Sequence, residues 1–202
     1  MATFTLPEGL APEVYPLAWL VGSWRGYGVL AYPGIPEQPF VHEMTFDHDG
    51  GPYLRCTSTL WAVDLEHSSS VPQETPGAEG ADLLAKAEVW ATESAYWRAS
   101  PDQPVGGGNG VSVEGGPRTA IEVLVAQPTG HVVVLVGDVR SARIDLVSDA
   151  VVRTAGASEV TAARRMYGLV NGELLWVEEL AAFGHDLQSY ASGRLSRQVA
   201  DQ

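Results

Sequence analysis

The chain has 202 residues, of which 45% are hydrophobic and 18% charged, enough apolar mass for one globular domain with its own core. Twelve basic residues against 25 acidic ones leave a formal net charge of −13, which repels phosphate backbones and anionic lipid surfaces and argues against nucleic-acid or membrane partners. A single cysteine, Cys56, excludes an internal disulfide framework and any cysteine-built zinc or iron–sulfur site.

Met1–Leu10 has no basic leader and no apolar run, and no stretch of about 18 apolar residues follows, so neither a signal peptide nor a membrane span is expected. A reducing, cytoplasmic compartment is the expectation. Residues 1–15 read as an N-terminal extension, 16–197 as one domain and 198–202 as a tail.

Pro16–Val21 is expected to form one short helical turn that ends at Gly22. Extended segments follow in close succession: Trp24–Tyr32, Phe40–Phe46, Tyr53–Val63, Glu88–Arg98, Thr119–Ala126, Val132–Val139, Ala142–Ser148, Glu159–Val170, Leu174–Phe183 and Gln188–Arg197. They are rich in β-branched and aromatic residues and are punctuated by Asp49-Gly50-Gly51, Pro128-Thr129-Gly130 and Asn171-Gly172. Asn171-Gly172 is the strongest hairpin signal, because a type I′ turn needs positive φ at both central residues. Short connections make neighbouring strands antiparallel. About ten such strands close most simply into a single up-and-down β-barrel, an all-β fold without exposed edges; a β-sandwich is the competing architecture. Glu66–Gly80 and Ser100–Pro117, with their serine, proline and glycine clusters, read as mobile surface loops.

Few patterns carry chemistry. Gly26-Tyr27-Gly28-Val29-Leu30-Ala31 matches a dinucleotide-binding fingerprint, but Tyr32-Pro33-Gly34 follows at once and forbids the helix such a site needs. The glycines fit a strand that bends or packs closely on another backbone. His42 and His48 share a strand face but lie roughly 20 Å apart at about 3.3 Å per residue, too far to share one ion. Cys56 sits mid-strand and reads as a buried, inert thiol. Of the adjacent Glu178 and Glu179, a regular strand points one inward and one outward. Glu93 shares a face with Ala95 and Trp97, and reads as a barrel-rim acid in preference to a buried functional carboxylate.

Gly22-Ser23-Trp24-Arg25-Gly26-Tyr27-Gly28 has the G-x-W-x-G-x-G form that opens nitrobindins. Tyr32-Pro33, Glu93-Ser94-Ala95-Tyr96-Trp97-Arg98, Ala126-Gln127-Pro128-Thr129-Gly130, Arg165-Met166-Tyr167-Gly168-Leu169-Val170 and Ala181-Ala182-Phe183-Gly184 also resemble nitrobindin segments, in the family's order. The resemblance covers about Pro16 to Arg197. It implies a ten-stranded, lipocalin-like barrel similar in shape to fatty-acid-binding proteins. Typical members hold haem b near one end of the barrel through one histidine of the last strand. They bind nitric oxide and are credited with isomerising peroxynitrite to nitrate.

This chain departs from that pattern at two points. Tyr190 occupies the place of the iron-binding histidine, and His185 falls five residues earlier, on a family glutamine; Gly34 replaces the threonine after Tyr-Pro. A phenolate can ligate haem iron only if a nearby cation lowers its pKa from about 10. Arg194 shares the parity of Tyr190 but lies about 13 Å along the strand. His185 is about 16 Å away along extended chain. The expectation is therefore a barrel without haem and without a catalytic site, which binds a small hydrophobic ligand. The alternative is a haem-binding peroxynitrite isomerase that uses Tyr190 or His185.

Overall fold

A computed structural model describes residues 6–100 and 118–198. Ten antiparallel strands close into one barrel: β1 (Gly22–Tyr32), β2 (Ile35–Asp47), β3 (Leu54–Asp64), β4 (Ala85–Ala99), β5 (Arg118–Gln127), β6 (His131–Arg140), β7 (Arg143–Arg153), β8 (Val160–Val170), β9 (Glu173–Ala182) and β10 (Gln188–Arg197). Each strand pairs with its sequence neighbours, and β1 closes the ring against β10. All ten expected strands are present, and β10 matches its expected bounds at both ends. The β8–β9 hairpin turns at Asn171 and Gly172 with φ of 54° and 85°, the pair of positive values expected there.

One end of the barrel is plugged. The expected helical turn is a 3₁₀ helix over Pro12–Leu20, which begins one turn earlier than anticipated because Pro12 at its start pre-sets a helical φ. It buries Val14, Leu17, Trp19 and Leu20 against the barrel interior. Trp24 donates its indole N–H to the Leu20 carbonyl at 2.7 Å, and the Arg197 guanidinium lies 4.1 Å from the Trp24 ring centroid. Beyond the plug, Phe46, Trp97 and Tyr167 pack edge to face and fill this half of the interior.

The Glu66–Gly80 segment is not a free loop, contrary to the sequence expectation. A helix α1 (Gly77–Asp82) is docked on the outer face of β1 and β10. The amide of Gly77 donates to Glu173 Oε1 at 2.6 Å, that of Ala78 donates to Ser196 Oγ at 3.0 Å, and Arg25 pairs with Asp82 at 2.5 Å. Val41, on the outward face of β2, buries with Ala81 and Leu84 beneath it. The expected Ser100–Pro117 loop lies, after Ser100, outside the described residues.

The β1–β10 closure depends on close backbone approach. A Cβ on Gly26 would sit 1.9 Å from the Arg194 carbonyl oxygen, and one on Gly28 would meet Ser192 O at 2.1 Å and the Phe40 ring at 2.3 Å. Gly26→Ala therefore forces backbone apart at the seam. We expect it to destabilise the barrel by about 1–3 kcal/mol or more, read as a lower midpoint in urea unfolding; an unchanged midpoint would show that the seam can yield.

Candidate functional site

The half of the barrel away from the plug contains a cavity of ≈ 310 Å³. Its floor is polar and its mouth is aromatic.

Arg165 organises the floor. The Asn171-Gly172 turn sets the β8–β9 register so that Arg165 faces Glu178 and Arg164 faces Glu179. The inward pair is buried: Arg165 Nε donates to Glu178 Oε1 at 2.8 Å. The outward pair, Arg164 and Glu179, is half-exposed at 3.5 Å. Arg165 also spans the interior to β4, where its two terminal nitrogens reach Glu93 Oε1 and Oε2 at 2.7 and 2.8 Å, a bidentate contact. Gln127 Nε2 donates to Glu93 Oε2 at 3.3 Å.

The two carboxylates respond differently to this one cation. Burial pushes Glu93 up, but the Arg165 charge and hydrogen bonds, with Gln127, outweigh it and hold the carboxyl below its ordinary range. For Glu178 burial prevails: with a single bond to Arg165 and the Glu93 charge nearby, its carboxyl is held above the ordinary range. His42 completes the floor. Burial brings its imidazole down to about 3, so it is neutral. Its Nε2 is 2.8 Å from Ser58 Oγ, its Nδ1 has no partner, and its ring meets Trp176 with centroids 5.0 Å apart. Cys56 is buried, and burial pushes its thiol up, which agrees with an inert role.

The mouth is shaped by β-bulges, each of which leaves one residue out of the ladder and turns its side chain. On β4, Ala91 pairs with Leu60 and Val89 with Trp61, so Trp90 is the extra residue. On β10, Ser189 pairs with Glu179 and Ala191 with Glu178, so Tyr190 is the extra residue. Both side chains line the cavity, and Trp90 Nε1 donates to the Tyr190 hydroxyl at 2.8 Å. Burial pushes the Tyr190 phenol up, and the Trp90 hydrogen bond only partly opposes it. Tyr32 stands beside Tyr190 with ring centroids 6.1 Å apart; its hydroxyl donates to the Leu180 carbonyl and accepts from the Ala182 amide.

Several expectations need correction. Glu93 is not a rim acid: it lies inside the barrel because the β4 register carries it, with Ala95 and Trp97, onto the inner face below the bulge. Tyr190 and Arg194 do not share a face. The bulge breaks the parity, and Arg194 points outward to Glu173 and the Thr75 carbonyl. His185 is exposed and is not among the cavity-lining residues, but a turn at Gly184 brings its ring to 6.0 Å from that of Tyr32, so extended-chain distance misjudged its position. The Arg165–Glu178 pair was legible: residues that flank an Asn-Gly turn symmetrically become cross-strand partners, and 165 and 178 are such a pair.

A family model described as a THAP4-like, heme-binding beta-barrel domain matches residues 13–197. A "Ferric nitrobindin-like protein" of Beutenbergia cavernae is 52% identical, over 96% of this chain and 99% of its own length. The chain belongs to the nitrobindin family. A "Peroxynitrite isomerase" of Leifsonia xyli subsp. xyli is 38% identical over 95% of this chain and 98% of its own length. The crystal structure of Rv2717c from M. tuberculosis shares the fold with a TM-score of 0.70 and 27% identity, covering 94% of this chain and 99% of that one. Of the nitrobindin signature G-x-W-x-G-x-G, the residues Gly22, Trp24, Gly26 and Gly28 all lie away from the cavity, at the plugged end and the β1–β10 seam. In this chain they serve the closure of the barrel.

Two substitutions test the floor. Arg165→Met leaves two carboxylates buried without their cation, and should cost about 3–5 kcal/mol at neutral pH, partly recovered on acidification as the carboxyls protonate. The second test is pH-dependent. A carboxyl held above its unfolded pKa of about 4.3 contributes stability that is complete below that value and is lost as pH rises through the folded pKa. Glu178→Gln should therefore gain stability relative to the parent as pH rises through that window, then level off. Urea unfolding from pH 4 to 8 reads both, and a pH-independent difference for Glu178→Gln would show that Glu178 is not titrating in the raised range.

Proposed function

We propose that this nitrobindin-family barrel binds a small amphipathic molecule in its cavity and does not hold haem. The observation that carries the reading is the state of Tyr190. Its hydroxyl accepts from the Trp90 indole and its pKa is pushed up by burial. The cation bearing on it is Arg165, which is already engaged by Glu93 and Glu178. At neutral pH the residue is a phenol, whereas iron ligation uses the phenolate.

The histidines near the cavity do not fit haem either. His131 donates from Nε2 to the Ser158 carbonyl at 2.9 Å and accepts at Nδ1 from the Thr129 hydroxyl at 3.2 Å, so neither nitrogen is free. His42 sits on the floor, buried between Phe40 and Trp176. His185 faces solvent beside Tyr32. We therefore assign no haem-dependent step and no catalytic residue. What supports ligand binding is a cavity whose volume falls in the range of small-molecule sites, with an apolar wall and a few converging polar groups.

Titration with hemin tests this. The parent protein should give no sharp, stoichiometric Soret band, and Tyr190→His, which puts an imidazole at the bulge, should gain one. A stoichiometric band in the parent that Tyr190→Phe or His185→Ala abolishes would overturn the proposal, as would hemin-loaded protein that speeds peroxynitrite decay beyond free hemin.

A further inference from the structure

The floor of the cavity has a charge imbalance that specifies a ligand. Among the described residues, Arg165 is the one cation that lines the cavity, and it faces two buried carboxylates. Glu93 is well bonded: both its oxygens accept from Arg165, and Gln127 adds a third bond. Glu178 is not. It has one bond, from Arg165 Nε to Oε1, and it lines the cavity. The His42 imidazole also lines the cavity but is 1% exposed and bonded to Ser58, so Glu178, at 9%, is an acceptor that the cavity offers. A buried carboxylate with spare lone pairs on a cavity wall points to a donor that the cavity receives.

We propose that the cavity accepts an organic cation: a protonated amine on a short apolar body, with its ammonium at Glu178 and its body against the aromatic wall. The proposal deepens the haem-free reading above and rests on the cavity being open to a ligand. Three features favour this charge. An ammonium supplies donors to the under-bonded Glu178 oxygens. It offsets a buried negative charge that is otherwise costly, and whose cost is visible in the raised proton affinity of Glu178. The walls that such a ligand passes are the rings of Trp90, Trp176, Tyr32 and Tyr190, surfaces that attract cations. A carboxylate ligand would meet the opposite situation, since each Arg165 nitrogen already bonds one of the two glutamates and the ligand would add a third negative charge. The net charge of −13 further raises the local concentration of cations.

Three probes with the same phenylethyl body separate the possibilities: 2-phenylethylammonium, 2-phenylethanol and 3-phenylpropionate, titrated calorimetrically into the hemin-free protein. The ammonium should bind at least about tenfold more tightly than the alcohol, and the carboxylate more weakly than either. Glu178→Gln should remove most of the ammonium preference and leave the alcohol affinity unchanged. Equal affinities for the three, a preference for the carboxylate, or no heat from any of them at millimolar concentration would overturn the proposal. So would an ammonium preference that survives Glu178→Gln. Because the three-probe ranking is read on the parent protein, the test stands even if that variant folds poorly. The hemin titration is independent: equal probe affinities in a protein that refuses hemin sink this inference alone, and a charge preference in a protein that takes hemin stoichiometrically sinks only the haem-free reading.

Discussion

Arg165 ties three strands together through the middle of the barrel. Its cross-strand partner Glu178 is on the adjacent β9, while Glu93 is on β4, on the far wall. A buried ion cluster of this kind contributes little net stability, because desolvation of three charges offsets most of their attraction, but loss of any one member leaves a charge stranded. The cluster therefore acts more as a constraint than as a source of stability. It divides the interior into a packed half, where Phe46, Trp97 and Tyr167 interlock above the 3₁₀ plug, and an open half with a polar floor. The position, depth and charge of the cavity all follow from where these three side chains meet.

The open half owes its shape to departures from regular pairing. A barrel of uniform strands alternates inward and outward residues without exception, and its mouth would be lined only by those residues that fall on the inner parity. Bulges at Trp90 and Tyr190 break that rule at facing positions on β4 and β10, and the two extra side chains bond to each other across the entrance. Bulges are frequent at barrel rims and next to binding sites because they re-aim a side chain without disturbing the rest of the ladder. Here they bring Trp90 and Tyr190 together as a hydrogen-bonded aromatic pair.

Relatives carry names that refer both to ferric nitrobindin-like proteins and to a peroxynitrite isomerase. The residues that this chain shares with the nitrobindin signature hold the seam and the plugged end. The residues that line the cavity sit at the opposite end, so scaffold and candidate site are spatially separate.

Much of this protein is set by local pattern. Ten short extended segments, turns marked by glycine, and an Asn-Gly hairpin determine antiparallel neighbours in chain order, because strand alternation and turn geometry act over a few residues; closure into a barrel and not a sandwich came from the β1–β10 pairing. The β8–β9 turn even specifies that Arg165 faces Glu178, since a two-residue turn leaves one register. Only the tertiary structure decided the rest. Glu93 reached Arg165 across the closed barrel, the helix Gly77–Asp82 found a surface on β1 and β10, and Tyr190 turned inward at a bulge. Each of these is a contact between segments far apart in the chain, or a one-residue slip in pairing. Neither leaves a trace in local periodicity, because the slip depends on the partner strand and the contact on the curvature of the whole sheet.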